Sequence, residues 1–215
     1  MRTRIKFCGL VRPADVDDAV ALGADAIGFV FYPKSPRALS GEQAAALRRR
    51  LPSFVCAVGL FVNAAAEEVA ATARTAGLDV LQLHGDETPT QGAQAATAAG
   101  GLPWWKAIRM RPETDLLSSA GSFQAAECLV LDAFTDAYGG SGKAFDWSWI
   151  PASLPSRIVL SGGLDAGSVG EAIARVRPFA VDVSSGIQGS DPRTKDRARM
   201  ERFVAAVLTA DATRS

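Results

Sequence analysis

Short apolar runs recur along the whole chain at intervals of roughly 20–30 residues, the length of one strand-plus-helix unit. Their C-terminal ends fall near Cys8, Phe31, Val62, His84, Arg109, Asp132, Ser161 and Ser184. Such runs are too short for buried helices and are bounded by turn residues, which marks them as strands. Between them the apolar positions switch to helical spacing, predicting helices over 14–22, 41–51, 65–76, 90–99, 166–176 and 194–208, with a weaker one over 114–120. Strand and helix alternating in this way require parallel strands joined by right-handed crossovers. Eight such units favour a closed (β/α)8 TIM barrel over a doubly wound sheet. No linker or low-complexity break interrupts the pattern, so residues 1–215 are expected to form one domain, with the last few residues, ADATRS, frayed.

Composition adds constraints. A chain of 215 residues, 48% hydrophobic and 21% charged, can bury one substantial core. Lys plus Arg and Asp plus Glu both number 23, so the net charge is zero and nothing suggests nucleic acid or an anionic membrane as partner. An anionic ligand has to be recognised locally. The N-terminal MRTRIKFCGLVRPAD lacks a signal-peptide core, and no run approaches bilayer length. These features fit a cytoplasmic protein, expected as a monomer or homodimer. Three cysteines without CxxC spacing argue against a disulfide framework or structural zinc.

In a TIM barrel, chemistry sits at the C-terminal ends of the strands, and the turns after strands 7 and 8 are a common phosphate site. Here those turns read Ser161-Gly162-Gly163 and Ser184-Ser185-Gly186. Glycines let backbone N–H groups approach an anion, and the serines add hydroxyl donors. Alternation along strand 1 puts Lys6 and Cys8 on the face opposite Ile5 and Phe7; with the apolar pair against the helices, Cys8 points into the mouth, as a functional thiol or a small buried hydrophobe. Cys56 and Cys128, at strand beginnings, read as core. Arg37, in a loop stiffened by two prolines, has the planar fork that suits a carboxylate, and equally fits an exposed cation. His84, the only histidine, shares a strand face with Gln82 and could serve as base, donor or turn residue; without further His or Cys partners it does not suggest a metal. Lys106 faces in or out, which the sequence does not fix. Asp132 closes an apolar run, a partly desolvated position that suits a general acid. It is followed by the glycine-rich stretch DAYGGSGKAFDWSWI.

Assembled, KFCGL, the SPR of the second loop, QLHGDE, LDA, GGSGKAFDW, LSGGL and VDVSSG resemble, in order, the motifs of the phosphoribosylanthranilate isomerase family. The resemblance runs from Lys6 almost to the C-terminus. It implies an Amadori rearrangement of N-(5-phospho-β-D-ribosyl)anthranilate in tryptophan biosynthesis, with no cofactor and no metal. It further implies Cys8 as general base and Asp132 as general acid, with Arg37 on the anthranilate carboxylate. Gly162, Gly163, Ser184, Ser185 and Gly186 match the phosphate turns, while His84 and Asp182 match pocket residues. Two departures, Val11 after KxCGL and Gln188 in GIQG, bear on loop order and substrate affinity. Both proton-transfer groups are ordinarily in the wrong state at neutral pH, a thiol near 8.5 and a carboxyl near 3.9. The site is therefore expected to lower the thiol, through Lys6 or the phosphate-turn donors, and raise the carboxyl, unless the minority forms suffice. Two other readings remain open: a lyase of the indole-glycerol-phosphate synthase type, which works with lysines and glutamates at strand ends, and a non-catalytic barrel that binds a phosphorylated metabolite.

Overall fold

The computed structural model describes residues 2–134 and 144–213. Eight parallel strands close into a barrel in sequence order: β1 (Arg4–Cys8), β2 (Ala26–Val30), β3 (Cys56–Phe61), β4 (Val80–Leu83), β5 (Trp104–Met110), β6 (Cys128–Ala133), β7 (Arg157–Leu160) and β8 (Ala180–Val183). Closure is made by β1 on β8, where Ile5 pairs with Val181 and Lys6 with Asp182. Every strand ends within one residue of the position read from the hydrophobic pattern.

Around the barrel lie α1 (Pro13–Ala21), α2 (Gly41–Arg48), α3 (Ala66–Ala76), α4 (Pro89–Ala98), α5 (Leu116–Ser122), α6 (Val169–Val176) and α7 (Arg197–Ala212). Local chemistry sets their ends. Ser40 with Gln43, and Thr88 with Gln91, form reciprocal capping boxes, and Pro13 and Pro89 sit in the first turn, where no N–H is needed. The expected helix over 166–176 begins only at Val169, because the Asp165 carboxylate accepts the N–H groups of Gly167 and Ser168, both at 2.9 Å, and turns the chain before the helix starts. The last helix also starts late, at Arg197 with Asp196 as its cap, since Lys195 is still bridged to Gln188. It then continues to Ala212, so the expected fraying from residue 210 is not what the chain does there; residues 214 and 215 lie outside the described residues. Most of the glycine-rich stretch after Asp132, residues 135–143, also lies outside them; beyond it the chain makes a short 3-10 turn, Trp147–Trp149, before β7.

Strand alternation splits the core in two. Outward side chains such as Phe7, Phe29, Leu81 and Leu131 pack against the helices. Inward ones, including Val58, Val80, Val130 and Val159, fill the lower barrel. Above that plug the inward positions turn polar, with Lys6, Gln82 and Asp182 buried in the middle. A barrel interior filled from below leaves one open end, and the remaining inward residues of β1, β4, β6 and β8 face it.

Candidate active site

One pocket occupies that end, walled by Cys8, Arg37, His84, Asp132, Gly162, Gly163, Asp182, Ser184 and Ser185. Nine of the ten site residues expected from sequence thus converge on one mouth. The tenth, Gly186, lies behind the wall: a Cβ there would stand 2.1 Å from the Leu164 carbonyl oxygen, so only glycine lets the β8 turn close against the β7 turn.

Cys8 ends β1 facing inward, as alternation requires. Below it the Lys6 ammonium donates to Asp182 Oδ2 at 2.7 Å, both side chains being almost fully buried. Burial works against the Lys6 charge, but Asp182 outweighs it and the ammonium is held above its ordinary range. The thiol fares differently. Burial pushes the Cys8 thiol up, Lys6 pulls it down, and Asp182 pushes it up again. The net direction is upward, opposite to the lowering expected from sequence. The main reason is burial, to which the Asp182 carboxylate beside Lys6 adds. Beside Cys8, β2 presents no side chain at all. A Cβ on Gly28 would stand 2.7 Å from Cys8 Sγ and 3.1 Å from Lys6 Cε, so this glycine is what makes room for the thiol.

Across the mouth, Asp132 is fixed at both oxygens. Oδ1 accepts the Ala133 N–H at 2.9 Å, and Oδ2 lies 3.1 Å from His84 Nε2. His84 Nδ1 lies 3.2 Å from the Gln82 side-chain nitrogen. With the amide donating to Nδ1, the imidazole carries its proton on Nε2 and donates it to Asp132, so Gln82 sets the tautomer and His84 aims the carboxylate.

Arg37 reaches the pocket from the β2–α2 connection. Its Nε donates to the Pro192 carbonyl at 3.0 Å and its Nη2 to Gln188 Oε1 at 2.6 Å. Both partners are neutral, so the guanidinium is oriented without having its charge cancelled. Gln188, noted from sequence only as a departure, is thus an arm holding Arg37. On the opposite side Gly162, at φ +82, passes so close to β6 that a Cβ would meet the Ala133 nitrogen at 2.5 Å. Ser184 Oγ donates to the Cys8 carbonyl at 2.9 Å, tying the β8 turn to the end of β1.

The face of Lys106 is settled: it points outward, donating to the Gly85 carbonyl at 2.7 Å and to Glu87 at 2.8 Å. It is not among the pocket's lining residues, so it does not offer the lyase reading an inward strand-5 lysine. Cys56 and Cys128 sit at the far end of the barrel, where burial raises each thiol to about 12. Among the described residues, no cluster of three or more His, Cys, Asp or Glu side chains is arranged to hold a metal ion. Two contributors escaped sequence reading. Gly28 carries no signal within a strand, and Lys195, buried behind the β8 turn, lies in a segment that reads as the start of an amphipathic helix.

Residues 5–206 match the family model described as N-(5'phosphoribosyl)anthranilate (PRA) isomerase. An N-(5'-phosphoribosyl)anthranilate isomerase of Ralstonia nicotianae is 56% identical over 98% of this chain and 95% of its own. Among solved structures, the phosphoribosyl anthranilate isomerase of Thermotoga maritima is 40% identical with a TM-score of 0.85, covering 96% of this chain and 99% of its own. A structure of the isomerase in complex with reduced 1-(o-carboxyphenylamino)-1-deoxyribulose 5-phosphate is 36% identical with a TM-score of 0.82, over the same shares of the two chains.

Proposed function

Since the chain belongs to the N-(5'-phosphoribosyl)anthranilate isomerase family, we propose that its barrel mouth carries out the Amadori rearrangement of N-(5-phospho-β-D-ribosyl)anthranilate to 1-(2-carboxyphenylamino)-1-deoxy-D-ribulose 5-phosphate, with Asp132 as general acid and Cys8 as general base. The observation that carries the assignment is their placement: both are inward-facing, both end a strand, and they share one pocket with the β7 and β8 turns. Asp132 gives its proton to the ribose ring oxygen as the C1′–O bond breaks, and the anthranilate nitrogen's lone pair forms the iminium. That cation acidifies C2′–H. Cys8 thiolate removes this proton, the electron pair shifts to give the enolamine, and reprotonation at C1′ with loss of the hydroxyl proton at C2′ yields the ketone. The iminium is the electron sink, so the sequence of bonds closes without a redox partner.

Binding groups fall around this axis. The Gly162-Gly163 and Ser184-Ser185-Gly186 turns take the phosphate with N–H and hydroxyl donors. Arg37 takes the anthranilate carboxylate, His84 aims Asp132, and Asp182 fixes Lys6 beneath the thiol. The chain acts as one barrel domain, cytoplasmic, as monomer or homodimer; among the described residues no helix is long and apolar enough to cross a membrane. The test is turnover by the purified protein, followed as loss of substrate fluorescence. Cys8→Ala and Asp132→Asn should each lower kcat by roughly 10²–10⁴-fold with a small change in KM. Near-full kcat in Cys8→Ala would transfer the base role to another group, His84 first.

A further inference from the structure

The mechanism needs a thiolate, and burial of Cys8 works against one by more than Lys6 offsets. Lys6 pulls the thiol down, but Asp182, paired with it at 2.7 Å, opposes that pull. A second ammonium stands nearby. Lys195 is buried, and its Nζ donates to the Ser184 carbonyl at 2.9 Å and to Ser184 Oγ at 3.2 Å. That same hydroxyl donates to the Cys8 carbonyl, so one serine separates the ammonium from the residue carrying the thiol. Among the described residues no carboxylate lies within ion-pair reach of Lys195 Nζ. Asp15 accepts the Lys195 backbone N–H and is itself held by Arg12 at 2.5 Å.

We infer that Lys195 is a positioning residue for the reaction, supplying from behind the β8 turn the uncompensated positive charge on which the Cys8 thiolate depends. The inference rests on Cys8 acting as the base. The charge count supports it. With Cys8 protonated, Lys6 and Asp182 cancel and Lys195 and Arg37 are left over, Arg37 for the substrate carboxylate; with Cys8 ionised, Lys195 and the thiolate cancel as well. The surroundings keep the two coupled. Burial and the neighbouring Arg37 lower Lys195 to about 7, while Cys8, Asp15 and Asp182 pull it back up. An ionised Cys8 and a protonated Lys195 therefore favour each other, and the form in which the thiol has lost its proton while the amine keeps its own is the reactive one. The charged groups facing this pair are Lys6 on β1, Asp182 on β8, Arg37 on the β2–α2 connection, and Asp15 with Arg12 at α1; all but Arg37 are internally paired.

The test reads the thiol directly. Iodoacetamide alkylation of Cys8 is measured against pH in the folded protein, with peptide mass spectrometry separating it from Cys56 and Cys128. In Lys195→Met the Cys8 midpoint should rise by about one pH unit or more, Lys195→Arg should return it towards the wild type, and kcat should fall more than KM changes. A folded Lys195→Met protein with an unmoved midpoint overturns the inference. Should that variant not fold, Lys195→Gln is measured in its place, and an unmoved Cys8 midpoint there overturns the inference equally. The two readings separate cleanly. Turnover surviving in Cys8→Ala with the midpoint still moving in Lys195→Met sinks the base assignment and leaves the Lys195 charge effect standing; the reverse pattern does the opposite.

Discussion

Replacing Gly28 by alanine adds one methyl group to a bare inner position beside the thiol. Built on the β2 backbone, that Cβ lies 2.7 Å from Cys8 Sγ, 3.1 Å from Cys8 Cα and 3.1 Å from Lys6 Cε. To reach the 3.4 Å at which ordinary contact begins, the sulfur has to move by about 0.7 Å, or β1 has to give way. Overpacking of this kind costs about 1–3 kcal/mol, partly offset by the ~0.4–1 kcal/mol that alanine gains over glycine through the unfolded chain. Stability should therefore fall by no more than about 2.6 kcal/mol. Catalysis should suffer more, because displacing a proton-transfer group by ~1 Å can cost about 10²-fold. The assay is kcat and KM from substrate fluorescence, with urea melts to confirm folding. Gly59→Ala is the matched control: its Cβ would strike Leu78 Cδ1 at 2.3 Å on the outer face of β3, overpacking the shell without touching the mouth. If Gly28→Ala kept the wild-type kcat while folded, Cys8 would not be held where the chemistry needs it by the bare face of β2, and the reasoning would fail.

Arg37→Ala should raise KM by at least about tenfold and leave kcat closer to normal, since a charge-assisted bond of about 1.5–3 kcal/mol is present in ground and transition states alike; an unchanged KM would reduce Arg37 to a loop cation. Lys195 makes a stability prediction of definite sign. Its folded-state value near 7, against 10.5, means that the cost of burying its charge is fully present below pH 7 and is relieved as pH rises towards 10.5. Between pH 6 and 9 the wild type should therefore gain about 2–3 kcal/mol relative to Lys195→Met, measured by urea melts of both proteins. A difference that does not move with pH would mean the ammonium is not penalised.

The barrel was legible because each of its units repeats the same two periodicities, and the strand ends followed from the apolar runs alone. Helix starts were less so: the Asp165 turn and the Lys195 to Gln188 bridge are side-chain and long-range decisions that propensity does not carry. The same distinction holds at the site. Cys8 and Asp132 are inward because alternation makes them so, and the turns of β7 and β8 announce themselves by composition. The upward shift of the thiol was not legible, since burial, its main cause, is set by barrel closure, and Asp182, which adds to it, lies 176 residues from the Lys6 it pairs with. Gly28 and Lys195 were invisible for a related reason. Each matters through what another strand or turn places against it.

The β1–β8 seam divides the chemistry between the two ends of the chain. Cys8 and Arg37 come from the first quarter of the sequence, whereas Asp132 and both phosphate turns come from beyond its midpoint. The seam itself is held by Lys6 on Asp182, Ser184 on the Cys8 carbonyl, and Arg37 on Gln188 and Pro192, contacts that span between 151 and 176 residues. A fragment ending after β4 would own Cys8, the proposed base, without Asp132, the proposed acid, and the complementary fragment would own Asp132 and the two proposed phosphate turns without Cys8. Activity regained on mixing two such halves would then report zipping of the seam itself, making the enzyme its own gauge of barrel closure.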